Sequence, residues 1–175
     1  MLDSTGSLLS LAEIGAAFAG FAALVSVLRR SSDQRARAIH DLLRLRLVIS
    51  SSVAGVAAAL IPVGLAGYGL EPALTWRISA GIFLIFDNGI IASFIGAYRP
   101  VRGTFPPDRL AVSVVAALEF VEQASLVAVI LVLTDAPPLA LYMTALIANI
   151  CQAGFIFVRF VESTFRHESD ILPDS

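Results

Sequence analysis

The sequence predicts an all-α integral membrane protein, a bundle of five transmembrane helices with its N-terminus outside and its C-terminus in the cytoplasm. Three observations lead to this fold class: an apolar composition, five apolar runs of spanning length, and arginines that gather on one side of those runs. Hydrophobic residues make up 57% of the chain, charged residues make up 15%, and the mean hydropathy is +0.83. Soluble domains carry about 25% charged residues, so we expect this chain in a lipid bilayer.

Five runs are long enough to span the membrane. A helix that crosses the hydrocarbon core needs roughly 20 mostly apolar residues. The runs occupy about 7–28, 47–70, 78–98, 110–134 and 139–161. The start MLDSTGS lacks the positive charges of a signal peptide, so we expect the first run to remain as a span. These runs predict a single transmembrane helical domain over 1–165 and a polar cytoplasmic tail over 166–175.

The connection between the first two runs is the longest. It reads SSDQRARAIHDLLRLRLV, in which Ser31 or Ser32 precedes acidic and amide residues as at the start of a helix. Apolar residues then recur at helical spacing. The pattern predicts a cytoplasmic helical extension of the second span over about 33–46.

Arginine placement predicts the orientation, because cytoplasmic loops of membrane proteins carry an excess of basic residues. All 12 basic residues are arginines, and with five spans only Arg77 falls on the outer side. The arginines of the other side are Arg29, Arg30, Arg35, Arg37, Arg44, Arg46, Arg99, Arg102, Arg109, Arg159 and Arg166. We therefore expect a multi-pass protein of the bacterial inner (cytoplasmic) membrane.

Polar side chains recur near the middle of four of the five spans. Bisecting each span between its flanking charges places the centre of span four at Glu122 and the centre of span three at Asn88. Glu119 and Glu122 share one helical face, because they are three residues apart. The predicted ion-binding or conduction residues of this layer are Glu119, Glu122, Asp87, Asn88, Gln123, Asn149, Gln152 and, nearer the outer surface, Glu13.

These acids lack enough basic partners within the membrane. An ionised carboxylate at the bilayer centre costs several kcal/mol, so such groups usually face a bundle interior or a wet cavity. The only cation in the spans is Arg159, which lies toward the cytoplasmic end and is predicted to line the cytoplasmic exit. Some acids must therefore be protonated, share protons or hold an external cation. Carboxylates three residues apart fit oxygen-preferring metals but do not specify one.

Small residues and one proline predict how the helices pack. The patterns Ala12, Ala16, Gly20 and Ser51, Gly55, Ala59 recur at four-residue spacing, which allows close backbone approach. They predict that spans one and two pack tightly, with each other or with a second copy. Pro62 predicts a kink in the second span. Tyr142 lies near a predicted interface, as aromatic belt residues do.

The leading hypothesis is a small oligomeric channel or transporter for protons or cations that uses the midplane carboxylates. Five spans form a small bundle, so a homo-oligomer in the lipid bilayer is expected. The alternative is a non-transporting scaffold, accessory or sensor subunit whose polar layer binds partner helices. The GxSxG, HExxH, P-loop and dinucleotide-binding motifs are absent from the sequence, and no histidine lies in a span. We therefore expect no enzyme activity, no cofactor and no nucleic-acid partner.

Overall fold

The computed structural model describes residues 4–28, 35–101, 103 and 108–169, and these residues form helices joined by short turns, with no strand among them. The helices are α1 (Ser4–Leu28), α2 (Arg35–Gly67), α3 (Pro72–Tyr98), α4 (Arg109–Leu131) and α5 (Pro138–Ser169), with a 3-10 turn at Arg99–Val101. All five α-helices are long and apolar enough to cross a membrane. This confirms that the chain is all-helical with five helices of spanning character.

The helix ends differ from the predicted ends of the spans for local reasons. α3 begins earlier than predicted because Pro72 occupies its first turn, where the missing N–H has no intrahelical partner to lose. α4 ends earlier because Val132 adopts a left-handed conformation with φ 52°. α5 continues to Ser169, so it includes the first residues of the predicted tail. Residues 33–34 of the predicted extension and 170–175 of the tail lie outside the described residues.

α2 and α5 form the centre of the bundle. In α2 and in α5, 44% of the residues in the most apolar 18-residue stretch are buried within the chain. In each of the other three helices the corresponding share is 22%. α5 contacts every other helix, and α2 contacts α1, α3 and α5. The seam between α3 and α4 is the least extensive of the four between consecutive helices. α1, α3 and α4 therefore present most of their surface to the surroundings of the chain.

α1 and α2 pack closely, and Gly15, which the predicted small-residue pattern does not include, lies at their contact. A Cβ atom at Gly15 would lie 3.0 Å from Val56 Cγ2 and 3.3 Å from the Ser52 carbonyl oxygen, so only glycine fits there without displacement. Ala16 is exposed, and Gly20 has no neighbouring atom within 4 Å of an added Cβ. The small-residue pattern correctly favoured close packing of these helices, while the contacting face is rotated by one residue.

Tyr142 is fully buried, rather than exposed at an interface, and it completes a break in α2. Pro62 has no N–H, so the carbonyl of Ala58, four residues earlier, lacks its intrahelical donor. The hydroxyl of Tyr142 donates to this carbonyl at 2.7 Å. The ring also packs against Trp76 and Phe83, with centroid distances of 5.4 and 6.3 Å. α5 is thereby fixed to α2 and α3 toward the end of the bundle at which α3 and α5 begin.

Two polar contacts join helices at the end of the bundle that holds Arg46, Arg99, Arg109 and Arg159, which we call the arginine-rich end. Arg46 Nη2 donates to Ser93 Oγ at 3.3 Å and links the start of α2 to the end of α3. Arg159 donates to Asp108, the N-cap residue of α4. These contacts lie at the ends of the spans, apart from the core.

The Tyr142 hydrogen bond gives a first prediction. Tyr142→Phe should lower the free energy of unfolding by about 1–3 kcal/mol, because a buried carbonyl loses its donor. In a Pro62→Ala background the same substitution should cost less, because the new backbone N–H at position 62 can donate to Ala58. Denaturant titration in detergent micelles, followed by circular dichroism, measures this double-mutant cycle.

The matched control is Tyr68→Phe, because the Tyr68 side chain is 85% exposed. This substitution should leave the free energy of unfolding unchanged. Equal costs of Tyr142→Phe with and without Pro62 would contradict the role assigned to the tyrosine.

Candidate functional site

Three acidic side chains from two helices meet in the middle of the bundle. Asp87 of α3 and Glu119 and Glu122 of α4 each place a carboxylate oxygen within 4.8 Å of the other two. Glu119 and Glu122 converge because residues three apart share a helical face. Asp87 joins them because it lies on the buried face of α3, one turn after Phe83. We call these three residues the carboxylate cluster.

Gln123 holds two of the three carboxylates together. Its Nε2 donates to Asp87 Oδ2 at 2.5 Å and to Glu119 Oε1 at 2.7 Å, which uses both of its amide hydrogens. Its Oε1 accepts from Asn88 Nδ2 at 3.2 Å. The amide therefore has every polar atom engaged, and it sets the separation of Asp87 and Glu119 across the α3–α4 seam.

The cluster reaches the lateral surface of the chain at this seam. Asn88 is exposed, and Glu119 and Gln123 are partly exposed, whereas Asp87 is 3% exposed. The exposed side chain of Phe120 lies beside them on α4. Polar groups near the middle of a span therefore face out of the single chain, where lipid would leave their remaining hydrogen-bonding capacity unmet.

Glu122 differs from its neighbours because it is fully buried and both of its carboxylate oxygens lack a hydrogen-bond partner among the described residues. The side chain of Asn149 adjoins Glu122, but its Nδ2 donates to Ser51 Oγ at 3.0 Å and makes no hydrogen bond of normal geometry to Glu122. A buried carboxyl group that makes no hydrogen bond is costly in either protonation state. Among the described residues, Glu122 is the buried side chain in which two polar atoms lack a partner.

α5 contributes two amides to this region. Gln152 Nε2 donates to Glu119 Oε2 at 3.3 Å, while its Oε1 is buried without a partner. Asn149 lies one turn earlier and faces α2, because Gly55 leaves room for it. A Cβ at Gly55 would lie 2.8 Å from Asn149 Oδ1. Gln152 therefore contacts the cluster through Glu119, while Asn149 joins α5 to α2 beside it.

Two of the predicted site residues lie away from the cluster. Glu13 is exposed on α1, a helix that packs against α2 and α5, whereas the acids lie on α3 and α4. Arg159 lies two turns beyond Gln152 on α5 and pairs with Asp108 and with Glu162, the latter at 3.4 Å. Within the described part of the chain, no arginine forms an ion pair with a cluster carboxylate.

The charge balance limits what the cluster can do chemically. Three carboxylates in a low-dielectric interior cannot all remain ionised without compensation. The described residues supply amide hydrogen bonds but no positive charge. The arrangement can therefore take up protons or bind a cation through oxygen ligands, and it offers no nucleophile-and-base pair.

Two clefts open at opposite ends of the bundle. One, of about 300 Å³, lies between α2 and α3 at the arginine-rich end and is lined by Arg46, Ser93 and Gly89 among others. The other, of about 330 Å³, is lined by Pro62 and Trp76 at the opposite end. The first cleft is lined by Phe86 and Gly89, one residue before and two residues after Asp87, so it extends to the depth of the cluster on another face of α3.

Sequence reasoning missed the residues that orient the α5 amides. Ser51 accepts the hydrogen bond from Asn149, and Gly55 provides the space for its side chain. Both belong to the small-residue pattern of the second span, which predicted helix packing but did not indicate a polar partner. A serine one turn before a glycine, opposite an asparagine of another span, is the signal that identifies such a pair.

Comparison of the chain with protein-family models, with curated proteins and with solved structures found no match.

The bridging role of Gln123 gives a second prediction. Gln123→Met keeps the length of the side chain but removes three hydrogen bonds, so the free energy of unfolding should fall by about 1–3 kcal/mol. Asn88→Leu removes only the bond to Gln123 and a local bond to the Leu84 carbonyl, and it should cost less. Denaturant titration in micelles gives both values. A neutral Gln123→Met would show that the amide does not hold the two carboxylates together.

Proposed function

We propose that the protein is a small membrane channel or transporter for protons or cations, and that it acts as a homo-oligomer in the bacterial inner membrane. The observation that carries this proposal is Glu122, which is fully buried, has no hydrogen-bond partner among the described residues and lies beside two further carboxylates. Acidic residues kept within spans usually lie on ion or proton pathways. Neutral amides would join the helices without the cost of three acids.

The seam between α3 and α4 supports an oligomeric conduit. Asn88, Glu119 and Gln123 reach the lateral surface of the single chain near mid-span. A second copy that covers this seam would remove these groups from lipid and would enclose the cluster between subunits. The path of the ion then runs along the interface, which suits a bundle too small to surround a pore alone.

The cleft at the arginine-rich end supports access from one side of the membrane. It reaches the depth of Asp87 but lies on another face of α3. A proton or cation that enters there reaches the carboxylates only if α3 moves. The limited packing of α3 against α4 favours this movement. Because basic residues are enriched in cytoplasmic loops, we assign this end to the cytoplasm.

The alternative function is a non-transporting scaffold, accessory or sensor subunit. The same lateral polar seam favours it, because helices of a different protein could supply the missing hydrogen bonds. In that case the purified chain passes no ion, and it copurifies with a partner whose polar or basic side chains cover Asn88 and Glu119.

Flux through the purified protein tests the proposal directly. Reconstituted in liposomes under an imposed gradient, the wild type should pass H⁺ or a metal cation. Glu122→Gln should reduce the rate by about tenfold or more, equivalent to about 1.4 kcal/mol in the barrier, because it removes the titratable, cation-attracting group. Ion-sensitive dyes inside the liposomes measure the rate.

The matched control is Glu71→Gln, which removes an exposed carboxylate at the start of α3, where it makes no capping hydrogen bond. It should leave the flux unchanged. The proposal is wrong if the wild type passes none of H⁺, Na⁺, K⁺ or divalent cations, or if Glu122→Gln behaves as the control does.

Cross-linking tests the proposed subunit interface. In a Cys151→Ala background, which removes the exposed native thiol, Phe120→Cys should form intermolecular disulfides in membranes, because Phe120 is 74% exposed beside the seam. Val53→Cys, on the exposed face of α2, should form few. Disulfides require Cβ atoms about 3.5–4.5 Å apart, so electrophoresis without reductant reports contact. Dimers from Val53→Cys alone would place the interface elsewhere.

A further inference from the structure

We propose that Asp87, Glu119 and Glu122 bind a single hard divalent cation, of the Mg²⁺, Mn²⁺ or Ca²⁺ class, with the amide oxygen of Gln152 as a neutral ligand. This inference rests on the proposed function, because it names the class of ion that the conduit carries. It combines the spacing of the carboxylates, the kind of donor atoms and two buried groups that lack hydrogen-bond partners.

The spacing of the carboxylate oxygens suits ligands of one ion. Each of the three residues places one oxygen within 4.8 Å of the other two. Ligands on opposite sides of an ion lie at twice the metal–oxygen distance, which is about 4.2 Å for Mg²⁺ and about 4.8 Å for Ca²⁺. Adjacent ligands lie closer than that. The three oxygens are therefore close enough to be drawn onto one ion by small movements of their side chains.

Gln152 provides independent support for a ligand at this place. Its side chain is 5% exposed, and its Nε2 donates to Glu119, which directs the amide into the cluster. Its Oε1 is nevertheless buried without a hydrogen-bond partner among the described residues. A buried amide oxygen without a partner costs about 1–3 kcal/mol. A cation at the cluster would satisfy this oxygen together with those of Glu122.

A proton alone does not satisfy these groups. A proton on Glu122 supplies one hydrogen-bond donor, but the other carboxyl oxygen of Glu122 and Oε1 of Gln152 would still lack a partner among the described residues. A divalent ion contacts several oxygens at once and offsets two of the three negative charges. One shared proton then neutralises the remaining charge, which low-dielectric surroundings favour.

The donor atoms restrict the class of metal. The cluster offers carboxylate and amide oxygens only, and the sole cysteine, Cys151, is exposed on another face of α5. Oxygen ligands suit Mg²⁺, Ca²⁺ and Mn²⁺, whereas Zn²⁺ and Cu⁺ are usually held by nitrogen or sulfur. A monovalent ion would leave more of the negative charge uncompensated in the same site.

Binding of Mn²⁺ to the full-length protein in lipid nanodiscs tests the inference. The electron paramagnetic resonance signal of free Mn²⁺ falls on binding, and we expect one ion per chain, displaced by Mg²⁺ or Ca²⁺ but not by equal K⁺. Glu122→Gln should raise the dissociation constant by about tenfold or more. Gln152→Leu should raise it by a smaller factor. Glu71→Gln, which changes a distant exposed acid, should leave it unchanged.

Each outcome bears on the inference separately from the proposed function. Absence of a stoichiometric Mn²⁺ site in the wild type overturns the inference, whatever the variants do. Equal binding by wild type, Glu122→Gln and Gln152→Leu also overturns it, because the ion then sits on surface acids. If Glu122→Gln does not fold, Gln152→Leu and the wild-type stoichiometry decide. Proton flux without Mn²⁺ binding preserves the proposed function, and Mn²⁺ binding without any flux refutes that function but not the site.

Discussion

The shortage of positive charge around three buried carboxylates constrains the whole structure. Asp87, Glu119 and Glu122 lie within the span of α3 and α4, and the nearest basic side chain on α5, Arg159, is held by acids at the arginine-rich end. Water would normally stabilise such carboxylates, but lipid does not. Protons, a bound cation or a partner must therefore supply the positive charge or the hydrogen bonds that the described residues do not provide. The lateral polar seam, the buried amides and the function we propose all follow from this requirement.

Two local defects in α2, a missing backbone N–H and a gap beside a glycine, determine where α5 packs and so how it reaches the carboxylates. Pro62 frees the carbonyl of Ala58, and the hydroxyl of Tyr142 replaces the lost donor. Gly55 leaves a gap on the same helix, and Asn149 fills it. Both defects bind α5 to α2, which presents Gln152 toward Glu119 across the bundle. α2 has no acid of the cluster, yet its irregularities determine the position of the helix that completes the cluster.

The sequence predicts the five helices well because their length and apolar composition are local properties that the bilayer dictates. It also indicates that the acids belong to a site, because a carboxylate such as Glu122 is costly in the middle of an apolar span. It does not give the face of a helix that meets each neighbour. Glu13 was therefore predicted as a site residue only from its depth in the membrane, whereas in the structure it is exposed on the surface of α1. Gly15, rather than Gly20, contacts α2 for the same reason.

The position of the cluster at the least extensive seam between consecutive helices favours a mobile site over a purely structural one. Polar groups that only join helices gain most where packing is tight and lipid is excluded, as Asn149 does between α5 and α2. The carboxylates instead lie where α3 meets α4 over a limited surface and where Asn88 remains exposed. Displacement of α3 relative to α4 would change the number of oxygens around any bound ion. Binding and release of a cation can thus be coupled to a small movement of α3, which a tightly packed core would resist.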